Sequence, residues 1–157
     1  MKIGNYINFK LPDEKGQLRD LTEFLGSLTV IYFYPKDNTP GCSIQANNYR
    51  DLYDEFQKLD VDIIGISKDD QKSHQKFIEK KQLPFTLLTD DKLEVSKSLG
   101  FASEKQMFGN KFFGTVRSSI VLNEKNEVIM INKKTKAGED AETVLSFIKQ
   151  YKEENNE

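Results

Sequence analysis

The run Leu28-Thr29-Val30-Ile31-Tyr32-Phe33-Tyr34 constrains this chain more than any other segment. It is rich in β-branched and aromatic residues and shows no polar alternation, the pattern of a strand buried on both faces. Pro35 ends it, and eight residues, Pro35-Lys36-Asp37-Asn38-Thr39-Pro40-Gly41-Cys42, lead into an amphipathic segment. There Tyr49, Leu52, Tyr53, Phe56 and Leu59 recur at spacings of three and four, which predicts a helix over 42–59. A fully buried strand feeding a loop and then a helix requires cover on both sides of its sheet. That points to a layered α/β architecture.

The rest of the chain continues the alternation. Residues 1–27 read as short strands around the turn Asp13-Glu14-Lys15-Gly16, followed by an apolar cluster of Leu21, Phe24 and Leu25. Val61 to Ser67 is a second core strand, and Asp69 or Asp70 caps a helix from Gln71 to Gln82 that carries Phe77 and Ile78 inward. Leu83-Pro84 ends that helix, because proline has no amide hydrogen to donate. A short strand over Phe85 to Leu88 and a short helix from Leu93 to Leu99, stopped by Gly100, come next. Residues 101–116 scatter Phe101, Met107, Phe108, Phe112 and Phe113 among glycine and polar breaks, the pattern of an irregular surface segment. Ser118 to Leu122 and Val128 to Ile131 form a hairpin about residues 123–127. A last helix runs from about Glu139 to Tyr151, with 153–157 as a frayed tail. The order βαβα, hairpin, α predicts one domain over 1–157, a mixed central sheet flanked by helices with an N-terminal β extension.

Composition narrows the function classes. A net charge of −2, with basic and acidic residues interspersed, excludes the basic stripe that nucleic acid or an anionic membrane would require. Lys133-Lys134-Thr135-Lys136 is short enough to be a solvated loop. No apolar run approaches the ~20 residues that span a bilayer, and the first residues lack a signal-peptide core. One cysteine and one histidine form neither an intrachain disulfide nor a structural zinc site. No glycine-rich phosphate-binding motif is present, so a nucleotide cofactor is not expected. A single thiol suits a reducing, cytoplasmic setting.

That thiol is placed for reactivity. In the first turn of a helix, Cys42 lies at the positive end of the helix dipole, near amides with no intrahelical partner. A free cysteine has a pKa of ~8.5, and lowering it to about 6 takes roughly 3.4 kcal/mol of preferential stabilisation of the anion. A helix terminus supplies about 0.3–1 kcal/mol, up to ~2 when partly buried, so a fixed cation is needed as well. Among Arg19, Arg50, Arg117 and His74, the best placed is Arg117, which opens a core strand able to lie beside Leu28–Tyr34. Arg19 and Arg50 fit surface positions better. Thr39 can aim a hydroxyl into the same pocket, and Pro35 and Pro40 stiffen the loop. The alternative for Cys42 is an inert, buried small hydrophobe. His74, in the first turn of its own helix, reads as an exposed capping or surface residue, although a Cys–His acyl-transfer pair would need it beside Cys42.

Taken together, Phe33-Tyr34-Pro35-Lys36-Asp37-Asn38-Thr39-Pro40-Gly41-Cys42 resembles the Pro-x-x-x-Thr-x-x-Cys signature of peroxiredoxins, in the form of the bacterioferritin comigratory protein subfamily. The likeness extends through Gly65-Ile66-Ser67-Lys68-Asp69, Ser73-His74-Gln75-Lys76-Phe77, Leu83-Pro84-Phe85 and Gly114-Thr115-Val116-Arg117-Ser118-Ser119. The resemblance implies a thioredoxin-like fold and reduction of hydrogen peroxide or organic hydroperoxides, in antioxidant defence and redox homeostasis, with neither a metal nor an organic cofactor. It implies Cys42 as peroxidatic thiolate, Thr39 as peroxide holder, Pro35 as shield from water, and Arg117 as stabiliser of the anion and of charge on the departing oxygen. Asn47 stands where many relatives carry a resolving cysteine, so the resemblance is to a one-cysteine variant, recycled by an external thiol such as thioredoxin or a small thiol. A second Cys42 through an intermolecular disulfide is the other route, and a monomer or weak homodimer is the expected state. Gln45 and Ser43 stand where relatives often carry Glu and Thr. A redox sensor or holdase exposing Phe108, Phe112 and Phe113 is the non-enzymatic alternative.

Overall fold

The computed structural model describes residues 1–24 and 26–155. Its centre is a five-stranded sheet whose middle strand, β3 (Leu28–Phe33), is buried at every position, as its unbroken apolar pattern predicts. Before it come a small antiparallel pair, β1 (Lys10–Pro12) and β2 (Leu18–Asp20), and a 3-10 turn over Leu21–Glu23. After it follow α1 (Pro40–Asp51), α2 (Tyr53–Lys58), β4 (Val61–Ser67), α3 (Gln71–Lys81), β5 (Thr86–Thr89) and α4 (Glu94–Ser98). The chain continues through β6 (Ala102–Met107), β7 (Asn110–Thr115), β8 (Ser118–Asn123), β9 (Val128–Asn132) and α5 (Asp140–Asn155).

The sheet order is β5-β4-β3-β8-β9, with β3, β4 and β5 parallel and β8 and β9 antiparallel to their neighbours. This is a mixed sheet of thioredoxin-like type. Alternate side chains of β3 feed two separate cores. Val30, Tyr32 and Tyr34 pack with Ala46, Tyr49, Phe56, Phe77, Val144 and Ile148 of the helical layer. Ile31 and Phe33 pack on the other face with Leu21, Ile64, Ile66, Phe101, Ile120 and Leu122. Gly65 is needed at its place in β4: a Cβ there would lie 2.9 Å from Tyr32 Cζ and 2.7 Å from Leu87 Cδ2.

Several expected features change. The segment expected as one helix over 42–59 begins at Pro40 and is two helices, divided at Leu52, whose ψ of 4° leaves the helical range. Proline at the first helical position costs no hydrogen bond there, so the start moves two residues earlier. Residues 101–116, expected to be irregular, form the β6–β7 hairpin around Phe108 and Gly109, both with positive φ, a two-residue turn matched to strand twist. The last helix runs on to Asn155, so residues 153–155 are helical. Asp70, not Asp69, caps α3, accepting from the Ser73 amide at 2.9 Å. Leu21 and Phe24 join the second core as expected, while Leu25 and residues 156–157 lie outside the described residues.

Candidate active site

The register of β3 against β8 assembles the site. Phe33 pairs with Ser118, which brings Arg117 level with the point where β3 gives way to the cysteine loop. The loop returns into α1 with Thr39 at the N-cap, Pro40 and Gly41 in the first turn, and Cys42 third. Thr39 contributes its carbonyl to the Ser43 amide at 2.8 Å, while the amides of Gly41 and Cys42 fall in the turn that has no intrahelical acceptor. Thr39 makes no side-chain cap: its hydroxyl donates to the Lys36 carbonyl at 2.9 Å, which leaves the oxygen lone pairs free to accept. Pro35 is half-buried at the mouth of the loop.

Cys42 is 1% exposed, and its sulfur is not in a purely apolar setting. Arg117 Nη2 donates to Cys42 Sγ at 3.4 Å, and Nη1 donates to Gln45 Oε1 at 2.6 Å. The guanidinium thus bridges two residues three apart on α1. Gly41 makes room for it, since a Cβ there would lie 3.1 Å from Nη2. The backbone of Arg117 is held by the loop over 133–136, expected to be merely solvated, where the Thr135 amide donates to the Arg117 carbonyl at 2.9 Å. Arg19 and Arg50 are elsewhere. Arg19 pairs with Asp13 and Glu23, and Arg50 donates to the Lys81 carbonyl at 2.8 Å, tying α1 to the end of α3.

Below the loop lies a second cluster that the sequence did not disclose. Asp37, 6% exposed, accepts from Tyr34 Oη at 2.6 Å and Ser73 Oγ at 2.8 Å, and His74 Nδ1 lies 2.7 Å from its Oδ2. His74 is 0% exposed, not the surface residue expected, and its Nε2 is 3.1 Å from the Leu88 carbonyl. A carbonyl only accepts, so Nε2 carries a hydrogen. Both ring nitrogens are engaged, and neither is available to take a proton from Cys42, which removes the Cys–His acyl-transfer arrangement. The Asp37 amide also donates to Asp69 Oδ2 at 2.7 Å. Carboxylates from the loop and from the end of β4 therefore anchor the cysteine loop to α3 and to the sheet.

Burial, above all, pushes the phenols of Tyr34 and Tyr49 well above their ordinary value. The neighbouring carboxylates, Asp37 for Tyr34 and Asp140 for Tyr49, push the same way by charge and by accepting the hydroxyl hydrogens. Met107, Phe108, Phe112 and Phe113 are exposed on the β6–β7 hairpin, Phe108 almost fully.

Residues 4–131 match the AhpC/TSA family. The chain belongs to that family. It is 39% identical to the putative peroxiredoxin bcp of Coxiella burnetii over 87% of this chain and 91% of the relative. It is 35% identical to the peroxiredoxin Bcp of Bacillus subtilis over 93% of each. Among solved structures, the bacterioferritin comigratory protein of Xanthomonas campestris superposes with a TM-score of 0.85 at 32% identity, covering 91% of each chain. A cysteine variant of Xylella fastidiosa PrxQ superposes at 0.89 with 28% identity, covering 96% of this chain and 97% of that one. The protein is therefore a peroxiredoxin of the Bcp and PrxQ type, a thiol-dependent peroxidase of antioxidant defence, with peroxide as substrate and a thiol as reductant. It carries one cysteine.

Proposed function

We propose that Cys42 is the peroxidatic sulfur and that Arg117 is the cation that keeps it anionic. The observation carrying this is the 3.4 Å contact from Arg117 Nη2 to Cys42 Sγ in the first turn of α1. The thiolate attacks one oxygen of the peroxide, a sulfur–oxygen bond forms, and the oxygen–oxygen bond breaks. Sulfur is oxidised by two electrons to a sulfenic acid, and the other oxygen leaves as water or an alcohol after taking a proton. Arg117 faces the charge that moves onto the departing oxygen, which is where a fixed donor lowers the barrier. Thr39, its hydrogen committed to the Lys36 carbonyl, accepts from the peroxide O–H. Pro35 closes the mouth of the loop to water.

With no second cysteine in the chain, an external thiol attacks the sulfenic sulfur, releasing water and leaving a mixed disulfide that a second thiol resolves. Thioredoxin and small thiols are the candidate reductants, and the cytoplasm is the candidate compartment, supported by the lone free thiol. The Xanthomonas campestris relative has alkyl peroxide reduction activity, which favours organic hydroperoxides alongside hydrogen peroxide here.

Competition kinetics on Cys42→Ser and Arg117→Ala test the reading. Cys42→Ser should abolish peroxide consumption. Arg117→Ala should slow it and move the pH midpoint of thiol alkylation toward alkali. An Arg117→Ala protein as fast as the parent at neutral pH would remove the arginine from the mechanism. Single-turnover oxidation followed by thioredoxin, glutathione or another small thiol, added separately, would identify the reductant.

A further inference from the structure

We infer that Asp140 is a positioning residue for the reaction, acting on the sulfur through Gln45 and Arg117. This rests on the proposed pairing of Arg117 with the Cys42 thiolate. Asp140 is 0% exposed, at the first turn of α5, and is far from Cys42 in sequence. Its carboxylate accepts four hydrogen bonds. Gln45 Nε2 donates to Oδ2 at 2.9 Å and Tyr49 Oη at 2.6 Å, while Ser119 Oγ donates to Oδ1 at 2.6 Å and Asn132 Nδ2 at 2.9 Å. Donors from α1, β8 and β9 thus converge on one buried side chain, far more than is needed to begin a helix.

The consequence for catalysis comes from the two ends of one amide. A guanidinium only donates, so the end of Gln45 facing Arg117 at 2.6 Å is its carbonyl oxygen, and the other end must be NH2. A carboxylate only accepts, so Asp140 holds that NH2 and fixes the amide in the sense Arg117 requires. An asparagine at 140 keeps one acceptor oxygen, which the Asn132 NH2 and the Ser119 hydroxyl hold, so its own NH2 faces Gln45. The Gln45 amide then turns and presents N–H hydrogens to the guanidinium, which repels it from the place where Nη2 meets sulfur. Asp140 thus supplies a negative anchor one residue removed from the cation, and Gln45 transmits it without bringing a second charge to the thiolate.

The sign of one measurement separates this role from the others. By charge alone, a buried carboxylate behind the pocket opposes the thiolate, so removing it would favour the anion. Positioning predicts the reverse. In full-length reduced protein, Asp140→Asn should move the pH midpoint of iodoacetamide alkylation toward alkali. It should also slow peroxide reduction about tenfold, the order expected from losing one hydrogen bond to a charged group. A midpoint unmoved or shifted toward acid would overturn the inference, the first outcome marking a purely structural anchor and the second a bare charge. The exchange variant Gln45→Glu with Asp140→Asn moves the carboxylate next to Arg117 and gives it an amide donor behind. It should recover part of the rate lost in Asp140→Asn, while the carboxylate now beside the guanidinium holds the midpoint alkaline of the parent's. A rate no better than that of Asp140→Asn alone would also overturn the inference. Arg117→Ala measured in parallel keeps the two levels apart. If it leaves the midpoint unmoved, the arginine pairing itself fails; if it moves the midpoint and Asp140→Asn does not, only the positioning role fails.

Discussion

Gly41 and Arg117 occupy a space too small for one more carbon: a Cβ on residue 41 would lie 3.1 Å from Arg117 Nη2 and 3.9 Å from the Ala137 Cβ. The guanidinium cannot retreat freely, because Nη1 is held by Gln45 and the backbone by Thr135. Gly41→Ala should therefore displace Nη2 from the sulfur by a few tenths of an ångström. Alanine is the better helix former by up to about 1 kcal/mol, so stability should hold or rise. Peroxide reduction should nevertheless fall, by about three- to tenfold, since small misplacements of a catalytic group are costly. Stopped-flow kinetics beside a urea melt would check this, and an unslowed Gly41→Ala enzyme would contradict it.

The Asp37–His74 contact makes a separate prediction about the loop. Replacing His74 by Phe leaves a buried carboxylate without its imidazole partner at 2.7 Å, a change that costs about 3–5 kcal/mol in comparable buried pairs. Tyr34→Phe removes only one of the hydroxyl donors to Asp37 and should cost about 1–3 kcal/mol. Urea denaturation followed by circular dichroism would rank the two. If His74→Phe proved the milder, the histidine would not be the principal support of the loop.

Gly65 is a packing requirement, independent of the reactive sulfur. Gly65→Ala drives a methyl group against Tyr32 and Leu87 in the middle of the sheet. Overpacking of this kind costs about 1–3 kcal/mol. The same urea titration would register it, and a loss below about 0.5 kcal/mol would mean the Tyr32 ring yields more easily than its stacked contact with Tyr49, at 4.7 Å, suggests.

Strands, helices and the thiol-bearing loop were legible because each carries a local pattern: the unbroken run of β3, the three-and-four spacing of α1 and α2, the caps at Asp70 and Gly100. Arg117 was legible because it opens a strand whose partner could be guessed. The hairpin of β6 and β7 was not, since Ser103 to Gln106 lie on exposed strands with no buried face to impose alternation. His74 reads as a surface residue because its partner lies 37 residues away on a loop, and nothing in the sequence near it records that burial. Gln45 stands out in the sequence only as a departure from relatives, and Asp140 carries no local pattern that marks it. Their contact spans 95 residues and exists only once α1 and α5 pack on the same face.

Tyr32, Tyr34 and Tyr49 predict how the fold fails in alkali. All three phenols are pushed well above the ordinary value of 10.0, by burial first. In the unfolded chain they lose their protons near pH ~10, while in the folded protein they keep them. Above that pH the folded state therefore binds more protons, and stability falls as pH rises. Below about pH 10 their contribution is fully present and flat. With three such groups the slope can reach about 4 kcal/mol per pH unit, at roughly 1.4 kcal/mol for each. Tyr49→Phe should flatten it by one group's share, because Tyr49 no longer has a proton to lose. Urea midpoints collected from about pH 8 to about pH 11 on parent and variant would show this as a difference in slope, which cancels the lysines common to both. Parallel profiles above pH ~10 would mean that the Tyr49 phenol ionises in the folded protein as readily as in the unfolded chain, despite its bond to Asp140.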